Sequence, residues 1–266
     1  MTIAKRFTPI RAKNNFRRTG TIRTRKSDAQ QIKSSTLSNS LLRSLFFCTL
    51  YRLTLNLAFN LMNMLSAEEC YAIFQKSIDD YHLKDDVDIA LQNPFPPDSF
   101  ESLLYQKNWI DTVQWHLEDI IRNPDIEPVE GIAIKRRIDK SNQDRTDTVE
   151  KMDDYFLGVY NGVKYQSGAR INSETPAWLL DRMSILMLKI YHMREQTERK
   201  DVAAQHIGKC RDKLVILEEQ KEDMRRAFDE LLQDIGTGTR RFKVYRQMKM
   251  YNDATLNPVL YKTPAP

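Results

Sequence analysis

The chemistry in this 266-residue chain is concentrated in a few short strings. His116, Glu118 and Asp119 fall within four consecutive positions, half of a metal or acid–base site if an acidic helix faces them. Asp139 precedes Asn142, Gln143 and Arg145 on one helical pattern. Asp181 adjoins Arg182, and Lys189 lies seven residues further on. Two bases on one line of a helix suit an oxyanion, Arg as a planar fork and Lys as a point charge. Carboxylates holding Mg²⁺, with those bases neutralising a phosphoryl group, would support hydrolysis. In that reading His116, Glu118 and Asp119 are the catalytic groups. Asn142, Arg145, Arg182 and Lys189 hold a small anionic ligand, and Asp139, Gln143 and Asp181 stand behind them. Mg²⁺ is the candidate cofactor.

Each of these strings also has a structural reading. Ile134, Ile138, Val149, Met152 and Phe156 define one face of a helix, and a turn of 100° per residue projects Ser141, Asn142 and Arg145 onto it. An arginine there must meet a carboxylate, backbone carbonyls or an anion, because burying it unpaired costs several kcal/mol. Beside it Asp139, Thr146, Glu150 and Asp153 form an acidic band that suits an internal salt-bridge network. Arg182 and Lys189 can snorkel to a bundle edge. Glu118 and Arg122 are spaced for a surface pair worth a few tenths of a kcal/mol.

Other chemistries are excluded. No GxGxxG, P-loop, GxSxG or HExxH occurs. None of His82, His116, His192 and His206 has Glu three residues before it, which removes a carboxylate-bridged di-iron bundle. Glu127, Glu130, Glu150 and Asp153 spell the paired acidic motifs of all-helical nucleotide pyrophosphohydrolases, with the first pair at a proline-interrupted helix entrance. Cys48, Cys70 and Cys210 are odd in number and lack CxxC spacing, which argues against a disulfide framework and a thiolate zinc site.

The elements that must position these residues read as helices. Only 8 Gly and 10 Pro, with 41% hydrophobic and 29% charged residues, describe a soluble globular chain rich in helix formers. Ser66 with Glu69 makes a capping box for a helix to about Leu83. Asp98 or Ser99 caps a second that runs to Arg122, its main apolar line being Leu103, Ile110, Val113, Leu117, Ile120 and Ile121, so that Trp115 and Asp119 point away from the core. A third spans about Ile132 to Leu157 after a loop containing Pro128 and Gly131, and residues 158–175 form the clearest internal loop. Pro176 opens a fourth helix to about Glu195. A fifth runs from about Asp201 to Ile235, with a seven-residue repeat at 203, 207, 210, 214, 217, 221, 224, 228, 231 and 235 that is apolar except at Lys221. The tail after Gly238 is basic and then extended around Pro258, a strap on the bundle. The expected fold is an all-α antiparallel bundle of about five helices over 64–266.

Charge is unevenly spread. Residues 1–64 carry twelve Lys and Arg against Asp28, and the remaining 29 bases and 35 acids leave a net −6. Residues 41–61 are apolar, but Arg52 near their centre would cost roughly 2.5–3.5 kcal/mol in a bilayer, so no transmembrane span is expected and the protein reads as cytoplasmic. Thr49, Arg52, Asn56, Asn60 and Asn63 form a polar stripe at helical spacing. Residues 1–63 read as a basic, disordered extension. Three origins fit it: upstream sequence before a start at Met62 or Met64, an Arg-rich targeting segment, or a nucleic-acid arm, the last without a specific motif.

Five strings together carry a resemblance: His116-Leu117-Glu118-Asp119; Ile138-Asp139 with Asn142-Gln143-x-Arg145; Glu174-Thr175-Pro176; Asp181-Arg182-x-Ser184-Ile185-Leu186; and Tyr251-Asn252-Asp253. On these the chain resembles an uncharacterised bacterial family of all-helical proteins, a domain of unknown function, over about residues 64–266. Ala177 departs from it, standing where glycine often follows the proline. The resemblance implies a helical fold and marks these strings, with no activity attached. Two functions follow from the residues: binding, with hydrolysis as its extension, of a small phosphorylated or anionic ligand; or a scaffold docking a partner on the fifth helix or the basic strap.

Overall fold

The computed structural model describes residues 65–248, 250 and 253–262, which belong to the second of two compact units, Leu53–Pro266. The readings placed on residues 1–63, and on Tyr251 and Asn252, lie outside the described residues. Among those described, the helices are α1 (Ala67–His82), α2 (Phe100–Ile121), α3 (Pro128–Val159), α4 (Pro176–Glu198), α5 (Ala204–Gly236) and the single turn α6 (Pro258–Tyr261). Two-residue strands β1 (Arg170–Ile171) and β2 (Arg240–Arg241) pair in parallel. No described helix is long and apolar enough to cross a membrane.

Local chemistry sets most of the boundaries. Ser66 and Glu69 form the capping box of α1, Ser99 caps α2 by accepting from Ser102 N, and Thr175 caps α4 by accepting from Trp178 N. Two starts differ from the expectation. Helix α3 begins at Pro128 and absorbs Gly131, whose N–H donates to Glu127 O (2.8 Å). Helix α5 begins three residues after Asp201, whose carboxylate Arg199 holds (2.6 Å).

Contacts between helices give their directions. Asp111 meets Arg145 and Gln114 meets Asn142, so α2 and α3 run antiparallel. Arg145 meets Asp181 on α4, and Arg194 meets Glu218 on α5. Helix α1 is different. Ser77 bonds Tyr105 O and His82 meets His116, so α1 and α2 run the same way, joined by the crossover 83–99. This brings the C-terminal parts of α1, α2 and α4 to one end of the bundle.

The apolar face expected on α3 is buried throughout, and it serves two cores. Val149, Met152 and Phe156 join the main one with Phe74, Leu104, Leu180 and Phe228, while Ile134 and Ile138 pack on Leu117 in a smaller one. Between them lies a polar layer. On α2 the expected apolar line is half-buried apart from Leu117, and the buried face carries Lys107, Asn108, Asp111 and Thr112 as well as Leu104 and Trp109. Trp115 also turns inward, packing against the main core. The α5 repeat is a seam as expected, with Cys210, Phe228, Leu231 and Ile235 buried and Lys221 lying over the Tyr71 ring.

The strap follows Gly238, where a φ of +74° and the 2.5 Å at which an added Cβ would stand from Lys164 O favour glycine. Phe242 buries itself against Tyr160, and Arg246 grips Glu150 and Asp154 of α3. Around Pro258 the chain forms α6 rather than an extended segment, because Asn257 caps the turn by accepting from Val259 N (3.0 Å).

Candidate functional site

The polar layer is built on four charges from three helices. Lys107, with a fully buried side chain, pairs with Asp111 on the next turn of α2 and with Asp181 Oδ1 on α4 (3.0 Å). Arg145 grips Asp181 with both Nε (2.8 Å) and Nη2 (2.5 Å), and its Nε lies 3.5 Å from Asp111 Oδ1. Ser184 donates to Asp111 Oδ2 (2.6 Å) and accepts from Asn108 Nδ2 (3.0 Å). Two positive and two negative groups cancel. Burial pushes the Asp111 carboxyl well above its ordinary value, with the Asp181 charge adding to the effect. Burial opposes ionisation of Asp181 too, but Lys107 and the Arg145 fork outweigh it and hold Asp181 below the ordinary range. Lys107, Asn108 and Asp111 were missed in the sequence because they were assigned to no face. Their signal is the continuation 104, 108, 111 of a buried helical line, the pattern that singled out Arg145.

The other predicted residues are dispersed. Asp139 pairs with Lys135 on the surface, and Gln143 donates to Asp147 on the next turn. Glu118 pairs with Arg122 (2.6 Å), and Arg182 takes Glu174. Asn142 accepts from Gln114. The pyrophosphohydrolase letters do not converge: Glu127 and Glu150 are on one helix, about 34 Å apart at 1.5 Å per residue, and Glu150 is engaged by the strap.

Three adjoining clefts open beside the quartet. The largest, about 520 Å³, lies between α2, α4 and α5 and is lined by Trp115, Met193, Ile216 and Leu217, with Asp119, Lys189, Lys213 and His192 at its polar points. A second, about 260 Å³, carries Asp111, Glu118, Asp119 and Arg145. Arg145, Arg182 and Lys189 meet in the third, about 290 Å³. The first has the size and apolar lining of a small-molecule site. Lys189 and Lys213 are exposed and form no ion pair among the described residues.

His116 faces imidazoles rather than an acidic helix. With His82 and His192 it forms a triangle of rings whose centroids are 5.2, 5.4 and 5.4 Å apart. Burial and the two neighbouring imidazoles hold His116 below the ordinary histidine range, against the pull of Asp85. In the sequence His82 belongs to no motif, and nothing in the spacing from 82 to 116 marks the pair. Among the described residues these histidines, and no set of carboxylates, are the group placed to share a metal ion.

A helical bundle with a neutralised charge quartet and an open, half-apolar cleft beside it is thus the class of molecule in hand. The chain belongs to the family described as a protein of unknown function (DUF4254), whose model matches residues 101–244, from the first turn of α2 to the start of the strap. That stretch contains the quartet, His116 and His192, and is narrower than the resemblance implied. No curated protein and no solved structure matches the chain.

Proposed function

We propose that this protein binds a small anionic ligand with an apolar or aromatic body in the cleft between α2, α4 and α5. One observation carries the reading: Lys189 and Lys213, from two helices, line a cleft of about 520 Å³ without forming an ion pair among the described residues. The lysines suit a phosphate or carboxylate, and Trp115 with Ile216 and Leu217 offers an apolar wall to the rest. Arg145 and Asp181 tie α3 to α4 rather than serve as ligand groups, since they hold each other. Hydrolysis would add a water-activating group, and Asp119 is the carboxylate lining this cleft.

The test is a thermal-shift screen of inorganic phosphate, nucleotides and sugar phosphates, with phosphate release followed in parallel. A ligand at a hundred times its Kd adds about 2.7 kcal/mol, roughly 5–10 °C for a domain of this size. The shift should vanish in the double variant Lys189→Ala, Lys213→Ala. No shift with any compound, or an equal shift in the variant, overturns the reading.

A second reading has its own support in Val215 and Ile216, exposed side by side on α5 at 68% and 63%. They suit self-association through that helix. Sedimentation should then give a dimer that Val215→Glu, Ile216→Glu dissociates.

A further inference from the structure

We propose that His82, His116 and His192 form a binding site for a divalent transition metal, Zn²⁺ first, coordinated through three imidazoles at the shared end of α1, α2 and α4. The proposal does not rest on the anion reading: His192 and Trp115 border that cleft, but Lys189 and Lys213 take no part here, and binding is measured with no anion present.

Two of the three tautomers favour it. His82 Nδ1 lies 2.7 Å from Ile78 O, which can only accept, so Nδ1 carries the proton and Nε2 keeps its lone pair. His192 Nδ1 lies 2.8 Å from Glu195 Oε2, which fixes the same tautomer, and its Nε2 is buried with no hydrogen-bond partner among the described residues. A ligating histidine has this arrangement, its outer N–H held by a carbonyl or carboxylate and its inner nitrogen bare. His116 Nε2 lies 3.2 Å from His82 Nε2 and, that atom being the acceptor, donates its proton to it; a bound metal ion replaces this hydrogen bond and releases the proton to water. At a Zn–N length of about 2.05 Å, two ligands of a tetrahedral ion stand roughly 3.3 Å apart. One ligand atom from each ring lies within 4.8 Å of those from the other two, so small rotations of the rings close the site.

The rings are also held in place. Tyr191 stacks on His82 (4.2 Å, 29°), Tyr81 on His116 (5.1 Å, 20°) and Trp115 on His192 (4.8 Å, 12°). Mutual inclinations of 62°, 69° and 75° set the three imidazoles around a common point rather than in a stack. His82 ends α1, where the helix dipole favours a cation. Asp85 Oδ1 stands 3.5 Å from His116 Nε2, a carboxylate beside the three rings. Its φ of +51°, a conformation that favours glycine, places an acidic residue directly after this helix end. An all-imidazole set suits Zn²⁺, Cu²⁺ or Ni²⁺ and does not suit Mg²⁺.

The experiment uses the full chain, purified without a histidine tag, stripped with chelator and titrated with Co²⁺ and then Zn²⁺. One Co²⁺ per chain should bind, with the visible bands of a low-coordinate nitrogen-rich site that Zn²⁺ abolishes. His116→Gln and His192→Gln should each lose at least tenfold in affinity, and His206→Gln, outside the triangle, should match wild type. Glu195→Gln removes an exposed carboxylate and keeps all three ligands, so it tests the site even if a histidine variant fails to fold. It should weaken binding about 10–100-fold. Substoichiometric uptake by wild type, or unchanged uptake when all three histidines are replaced by glutamine, overturns the proposal.

Discussion

At the level of Asp111 and Asp181 four charges from three helices close on one another. Further along α2 and α4, at His116 and His192, polar groups converge and remain open. The quartet is formally neutral and sits between two apolar cores, where an unpaired charge would cost several kcal/mol. The histidine end is half-buried and, among the described residues, Lys189 and Lys213 of its cleft form no ion pair and His192 Nε2 meets no hydrogen-bond partner. The difference teaches which charges to read as function. A buried set in which every charge has an opposite charge beside it locks helix register, and groups held in place without such a partner are free to meet something else.

The comparison breaks first at the quartet. Asp181→Asn leaves Lys107 and Arg145 short of their shared carboxylate and should cost about 3–5 kcal/mol in urea unfolding. A loss near zero would mean that the charges are not buried together. Asp111→Asn should cost less, about 1–3 kcal/mol, since burial already disfavours the Asp111 charge and Arg145 keeps Asp181.

Acid sharpens it next. The folded state holds Asp181 below its unfolded value of about 3.9, so it binds fewer protons there than the unfolded chain does. Its contribution is complete above that pH and is lost as pH falls through the depressed folded value. Unfolding followed from pH 6 to pH 2 should therefore show an acid limb that is shallower in Asp181→Asn. Asp111, shifted the other way, acts with the opposite sign, so Asp111→Asn should not flatten that limb.

At the open end the expectation reverses. Lys189→Ala with Lys213→Ala should leave stability within about 0.5 kcal/mol while removing any anion-dependent shift. Arg122→Ala, which removes only the exposed partner of Glu118, should cost a few tenths of a kcal/mol by the same assay. A large loss there would make Glu118 part of the buried layer after all.

The sequence by itself determined the helices and much of what they bury. Ser66 caps where a cap was expected, Ser99 is one of the two caps expected for the second helix, the fourth helix opens at Pro176, the α5 repeat forms a seam, and the α3 face from Ile134 to Phe156 is buried. The demand that Arg145 find a partner was also legible, because burial of an unpaired guanidinium is too costly to tolerate. Periodicity, however, reports which side of one helix is covered and is silent on which helix covers it. Only the tertiary structure decided that Arg145 meets Asp181, that Lys107 and Asp111 complete the layer, and that Asp139 and Gln143 stay outside it. The crossover that runs α1 beside α2 brought His82 to His116 and His192, a meeting set by chain direction that no spacing along the chain encodes.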